Sequence, residues 1–184
     1  MYTYQGRFCT MEELISENEE NLFSLMHHNR AEYQKLVSRE PISETFSNFR
    51  SQINQWFYYG RKYQFLVLSK DKIETVGTIF FYGQNEESGT IKISCFFVPK
   101  VRGKILVGEA LGMAISFSFS VLDVDRLLFS IYPENSRMIQ LAKKLGANER
   151  EMCVTTESTR NRSTLDYDLP RTILKEISRR VQNL

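Results

Sequence analysis

The chain has 184 residues, 42% of them hydrophobic and 25% charged, the composition of a globular protein with a full core rather than of a disordered or fibrous chain. Its formal net charge of +2 argues against nucleic acid as a partner, which needs a clustered basic face; the pairs Arg160/Arg162 and Arg179/Arg180 read as solvated surface. No segment approaches the ~20 apolar residues of a membrane span, and the N-terminus lacks a stretch of signal-peptide character, so a soluble, cytoplasmic protein is expected.

In chain order, residues 2–8 alternate weakly and predict a first strand. Thr10-Met11-Glu12-Glu13 has the pattern of a capping box and predicts a helix carrying Leu14, Ile15, Leu22, Leu25 and Met26. Ser43 is placed to cap a second helix with a face of Phe46, Phe49, Ile53, Trp56 and Phe57, ending near Gly60. The period then changes. Residues 63–69, 73–82 and 90–98 predict three antiparallel strands, with Gly77 marking a bulge or a close approach.

A helix over residues 104–121 follows, with Leu106, Ala110, Met113, Ala114, Phe117 and Val121 on one side. Next come a strand over 126–132, a helix over 136–145 stopped by Gly146, two strands over 148–156 and 163–169, and a basic helix after Pro170. A helical crossover between the strands ending at Val98 and Tyr132 implies a parallel pair inside an otherwise antiparallel sheet. The whole, residues 1–184, reads as one domain with no repeat or linker.

Cys9, Cys95 and Cys153 are odd in number, far apart and without Cys-x-x-Cys spacing, which points to a reducing compartment and no metal site; Cys95 reads as core. His27 and His28 are adjacent and would diverge on a helix, so they are not expected to share a ligand. The chemistry is concentrated in Val98-Pro99-Lys100-Val101-Arg102-Gly103-Lys104. A strand turning through a basic, glycine-containing loop into a helix aims several N–H groups and the helix dipole at one spot, an anion site. About thirty residues on, Ile131-Tyr132-Pro133-Glu134-Asn135-Ser136 leaves a second strand for a second helix. A phosphate-bearing cofactor held between two adjacent strands is the expectation.

Those two segments, with Phe97, Glu109-Ala110, Asp125-Arg126-Leu127-Leu128-Phe129-Ser130-Ile131, Lys143-Lys144-Leu145-Gly146 and Leu165-Asp166-Tyr167-Asp168-Leu169, resemble the GNAT superfamily of acetyl-CoA-dependent N-acetyltransferases. The closer likeness is to its ribosomal-protein N-terminal and spermidine acetyltransferase branch. The resemblance implies an α/β (α+β) fold: a mixed, mostly antiparallel sheet with one splayed parallel strand pair and helices on both faces. It implies acetyl-CoA as co-substrate, with the pantetheine arm along the backbone of Phe97 and Val98. Arg102, Gly103, Lys104, Ile105, Leu106, Val107 and Gly108 would hold the pyrophosphate, and Asn135 would fix the cofactor arm, cap the helix from Ser136, or both.

The departures from the family pattern are specific. The small positions of the family loop are Ile105 and Val107 here, whose branched β-carbons crowd a phosphate. The strand position of the usual glutamate base is Lys92, that of the tyrosine acid is Ala142, and that of the serine used in the closer branch is Met138. Catalytic residues are therefore unassigned, and Glu109 reads as a structural partner of its helix dipole. The activity expected is acetyl transfer to an amine (a small amine, an amino sugar or a peptide N-terminus) by direct attack, in a protein that could pair as a homodimer. The alternative is a GNAT-fold protein without catalysis, serving as a binding or regulatory partner.

Overall fold

The computed structural model describes residues 1–37, 40–71, 74–150, 153–155, 162–174 and 176. Among the described residues, five α-helices pack on one sheet. The helices are α1 (Glu19–His28), α2 (Arg30–Leu36), α3 (Phe46–Tyr58), α4 (Ile105–Ser120) and α5 (Ser136–Leu145). The strands are β1 (Thr3–Gln5), β2 (Cys9–Glu13), β3 (Arg61–Ser69), β4 (Glu74–Asn85), β5 (Thr90–Phe97), β6 (Arg126–Ile131), β7 (Asn148–Glu149), β8 (Cys153–Thr155) and β9 (Arg162–Pro170). They run in the order β1-β2-β3-β4-β5-β6-β9-β7, and β8 also pairs with β9. Every pairing is antiparallel except β5 with β6. The mixed sheet with a single parallel pair is thus the expected one.

Cross-strand register sorts the helices onto two faces. Phe81, Ile93, Phe129 and Tyr167 oppose one another across β4, β5, β6 and β9, so they share a face. Phe117 of α4 meets Phe81 on that face, with ring centroids 5.5 Å apart, and Lys143 of α5 lies over Tyr167. Residues of the opposite parity meet the other helices: Tyr33 of α2 packs edge-on to Phe96, and Trp56 of α3 and Phe80 sandwich the Arg61 guanidinium. Both layers belong to one buried cluster.

Several local expectations hold. Gly146 closes α5 at φ 89°, and Gly77 lies so close to Phe97 that a β-carbon there would come within 2.5 Å of the ring. The ladder shifts at Val67/Leu68, opposite Gly77. α4 is buried well beyond the expected stripe: Leu111, Ile115 and Phe119 are interior, whereas Val121 is exposed.

Other expectations fail for identifiable reasons. Residues 10–13 are not a helix start but strand β2, with Met11 opposite Val67 and fully buried. The helical entry lies further on, where Asn18 Oδ1 accepts from Ile15 N at 2.9 Å. Thr45, not Ser43, caps α3 through Asn48 N; Ser43 instead bonds Gln52. α2 is additional to the expected elements, and of the strand expected over residues 148–156 the described residues give β7 (Asn148–Glu149) and β8 (Cys153–Thr155). The basic helix expected after Pro170 begins as a 3₁₀ turn over Arg171–Ile173, Leu174 and Glu176 are helical, and the remainder lies outside the described residues.

Candidate active site

The parallel register of β5 and β6 runs from Thr90↔Arg126 to Ile93↔Phe129 and stops there. Both strands continue, β5 to Phe97 and β6 to Ile131, so a gap opens between them. The backbone that faces this gap follows from strand parity. Val98 N donates to Val76 O at 2.9 Å, which makes 76/98 a hydrogen-bonded pair with β4. Every second residue back, Phe96 and Ser94, is likewise turned to β4, leaving the N–H and C=O groups of Cys95 and Phe97 toward the gap. The expected role of Val98 is therefore corrected: its N–H is spent inside the sheet.

Beyond β5, a 3₁₀ turn over Pro99–Val101 leads through Arg102, Gly103 and Lys104 into α4. Gly103 sits at φ +80°, a left-handed conformation that L side chains rarely adopt, although a β-carbon there would meet open space. Lys104 caps α4 without a side-chain bond. Among the described residues, nothing accepts a hydrogen bond from the N–H groups of Gly103, Ile105 and Leu106. Unpaired donors at the N-terminus of a 16-residue helix are suited to an anion.

Loop and gap open into one cleft of about 710 Å³. Phe97, Arg102, Gly103, Lys104, Val107 and Gly108 line one wall; the opposite wall, from α5, includes Asn135 and Met138, with Glu32 and Leu36 of α2 at the rim. Of the expected residues, the side chains of Val98, Ile105 and Leu106 do not line it. Ile105 is 48% exposed and lies outside the cleft lining, whereas Val107 is part of it.

Arg102 does not extend into solvent as a free phosphate clamp. Its Nε donates to Phe97 O and its Nη1 to Glu32, both at 2.8 Å, while Nη2 is buried and has no partner among the described residues. Asn135 performs the cap, accepting from Met138 N at 3.2 Å, and its Nδ2 reaches Leu36 O at 3.5 Å. α2 therefore touches both sides of the cleft, Glu32 on the loop side and Leu36 on the α5 side.

The positions expected for an acid or base offer none. Lys92 lies in β5 opposite Tyr82 and does not line the cleft, and Ala142 is fully buried. Met138 places its Sδ 3.9 Å from Cys95 Sγ, and burial pushes the Cys95 thiol up to about 12, so it is protonated at neutral pH. Glu109 faces away. Its carboxylate accepts from Arg7 N (2.5 Å), Phe8 N (2.8 Å), Cys9 N (2.9 Å) and Cys9 Sγ (3.3 Å), tying the β1–β2 turn to α4. Burial pushes the Glu109 pKa up, but these hydrogen bonds outweigh it and hold the group below its usual 4.5. Among the described residues no group of His, Cys, Asp and Glu forms a metal site.

A family model described as "Acetyltransferase (GNAT) domain" matches residues 10–148, which include the parted strand pair and the start of α4. The chain belongs to the GNAT acetyltransferase family. The GNAT chain is 26% identical over 110 residues to the uncharacterized N-acetyltransferase p20 of Bacillus licheniformis, a match spanning 60% of this chain and 62% of that protein. Its fold matches the crystal structure of a GCN5-related N-acetyltransferase from Brucella melitensis at a TM-score of 0.82 and 18% identity, covering 99% of this chain and 84% of that one. The ribosomal-protein-S5-alanine acetyltransferase from Vibrio fischeri matches at 0.74 and 11% identity, over 92% of this chain and 97% of that one.

Sequence reasoning missed Glu32, Leu36, Cys95 and Ser130 as neighbours of the gap. Glu32 and Leu36 belong to a seven-residue helix with no separate periodic signal. Cys95 read as core, and Ser130 carried no motif.

Proposed function

We propose that this GNAT chain, as a single acyl-CoA-binding unit, transfers acetyl from acetyl-CoA to an amine: a small amine, an amino sugar or a peptide N-terminus. One observation carries the reading: the gap beside Cys95 and Phe97 opens into a cleft lined by Gly103, Lys104 and Gly108 at the start of α4, where the N–H groups of Gly103, Ile105 and Leu106 have no acceptor among the described residues. These groups fit the co-substrate, since amides can hold a pyrophosphate while the β5 edge pairs with an extended amide-bearing arm. When bound, acetyl-CoA supplies an activated acyl group. The rest is the work of the chain.

Cys95 and Phe97 offer N–H groups to a carbonyl oxygen that gains charge during attack, and fixed donors of this kind need no reorganisation. Because Arg102 occupies Phe97 O, an arm entering the gap must share that carbonyl or displace the guanidinium toward the phosphates. Holding amine and acyl group together makes the reaction effectively unimolecular. Lys92 stands at the usual base position and Glu32 is engaged by Arg102, so in this reading the amine arrives neutral or loses its proton to solvent. The free thiols Cys9 and Cys95 support a reducing, cytoplasmic setting. No helix among the described residues is long and apolar enough to cross a membrane.

A second reading, a GNAT fold retained for binding or regulation, draws on Lys92, Met138 and Ala142 at the usual acid/base positions. Calorimetric titration with acetyl-CoA, then CoA-thiol release over a panel of a polyamine, an amino sugar and a short peptide, separates the two. Binding with turnover supports the enzyme; absence of binding favours the second reading.

A further inference from the structure

Where the strands part, Ser94, Cys95, Ser130, Asn135, Met138 and Leu36 are among the residues lining a pocket of about 20 Å³, roughly the room of one water or a methyl group. It continues into the main cleft through Leu36, Cys95, Asn135 and Met138, which line both. Ser130 lies on β6 one residue past the last parallel pair, where the strands part. Its Oγ is shielded from solvent and has no hydrogen-bond partner among the described residues. Asp166 stands directly opposite on β9, but its Oδ1 takes its hydrogen bond from Thr164 at 3.2 Å. Two residues on, Asp168 pairs through Oδ2 with Arg126 (3.3 Å) and Arg150 (3.2 Å), while its Oδ1 is buried without a partner among the described residues.

A buried hydroxyl without a partner is costly to keep in a folded protein. Ser130 also lines the pocket at the end of the gap in which the proposed function puts the reacting thioester. We infer that Ser130 is a catalytic residue of this GNAT chain, the donor to the leaving sulfur that α5 does not supply. As nitrogen bonds to the acyl carbon and the carbon–sulfur bond breaks, Ser130 gives its hydroxyl hydrogen to the sulfur. It takes up the proton that the nitrogen loses. The hydroxyl is regenerated, the products are amide and thiol, and no charge is left in the pocket. The substitution of Met138 and Ala142 at the helical acid positions is then offset from the neighbouring strand.

This inference rests on the proposed cleft, and the test separates the two. CoA itself is the probe, so no acceptor need be known. Calorimetry first establishes binding to wild type, Ser130→Ala and Ser130→Thr; the ultraviolet absorbance of the bound thiolate is then titrated. A hydrogen bond to the charged sulfur lowers the bound thiol's pKa, so Ser130→Ala should raise it by about one to two units, with Ser130→Thr close to wild type. Melting of the free Ser130→Ala protein should be unchanged or higher, since an unpaired buried hydroxyl is removed. Binding with the same thiol pKa in wild type and Ser130→Ala overturns the role of Ser130 and leaves the cleft standing. Failure of CoA to bind wild type overturns both. A melting temperature several degrees lower in Ser130→Ala would assign the hydroxyl to a structural bond and contradict the inference.

Discussion

Glu109 offers a separation of structure from catalysis that can be worked from distances. Its carboxylate receives three backbone N–H groups and the Cys9 thiol, closing the turn between β1 and β2. The donors on Arg7 and Phe8 are exposed and can return to water, whereas Cys9 is fully buried. One strong bond at about 1.5 kcal/mol plus two weaker ones of about 0.5 kcal/mol gives a cost near 2–3 kcal/mol for Glu109→Ala. For a chain of this size that is a fall of about 4–12 °C in Tm. Gly6→Ala should act similarly, because a β-carbon there would come within 2.3 Å of the Glu109 carboxyl carbon.

The pH dependence has a definite sign. The folded pKa of Glu109 is depressed, so its contribution is present at neutral pH and is lost as pH falls through the folded value, below 4.5. Wild type and Glu109→Gln should therefore differ at pH 7 and converge under acid conditions, followed by thermal melts across pH. Turnover per folded molecule should be unchanged. Equal Tm values together with lost activity would refute the structural assignment and return Glu109 to the list of catalytic groups.

Gly103→Val forces a branched side chain into φ +80° and should weaken CoA binding at least several-fold in calorimetry while Tm falls little; unchanged affinity would move the pyrophosphate elsewhere. Asn135→Ala removes the α5 cap and should cost ~0.5–2 kcal/mol by thermal melting, with some loss of CoA affinity, because the same side chain joins α2 to the cleft. Glu32→Gln removes the anion that engages Arg102, and CoA affinity should rise about two- to fivefold at low salt; a fall would show that Arg102 works only when Glu32 holds it. With Lys92 away from the cleft, kcat/KM should keep rising with pH up to the acceptor's own pKa, near ~8 for an α-amine and ~10 for other primary amines. A limb near pH 6–7, lost on mutating one carboxylate, would instead identify a base.

The parts of this fold that could be read from the chain are those specified locally. The strand, basic turn and helix around Arg102, and the capped, glycine-terminated α5, each carry their own signals within a dozen residues. Where distant groups decide, the sequence misled. Thr10-Met11-Glu12-Glu13 has the residues of a helix start, yet pairing with β3 and the Glu109 carboxylate about a hundred positions away hold it as β2. α2 is short and buries only Tyr33, too little for a periodic signal. Which of Phe97 and Val98 faces the gap depends on pairing parity with β4, a property of register rather than of residue type. Ser130 is one more serine in a strand until the ends of β5 and β6 are seen to part.

A crystal structure with acetyl-CoA tests the central claim most directly. The account predicts the pyrophosphate within hydrogen-bond distance of the Gly103, Ile105 and Leu106 N–H groups, and the acetyl carbonyl on Cys95 or Phe97 N–H beside Ser130. Acetyl-CoA bound away from the β5–β6 gap, or a gap still closed by Arg102 on Phe97 at saturating ligand, would contradict it.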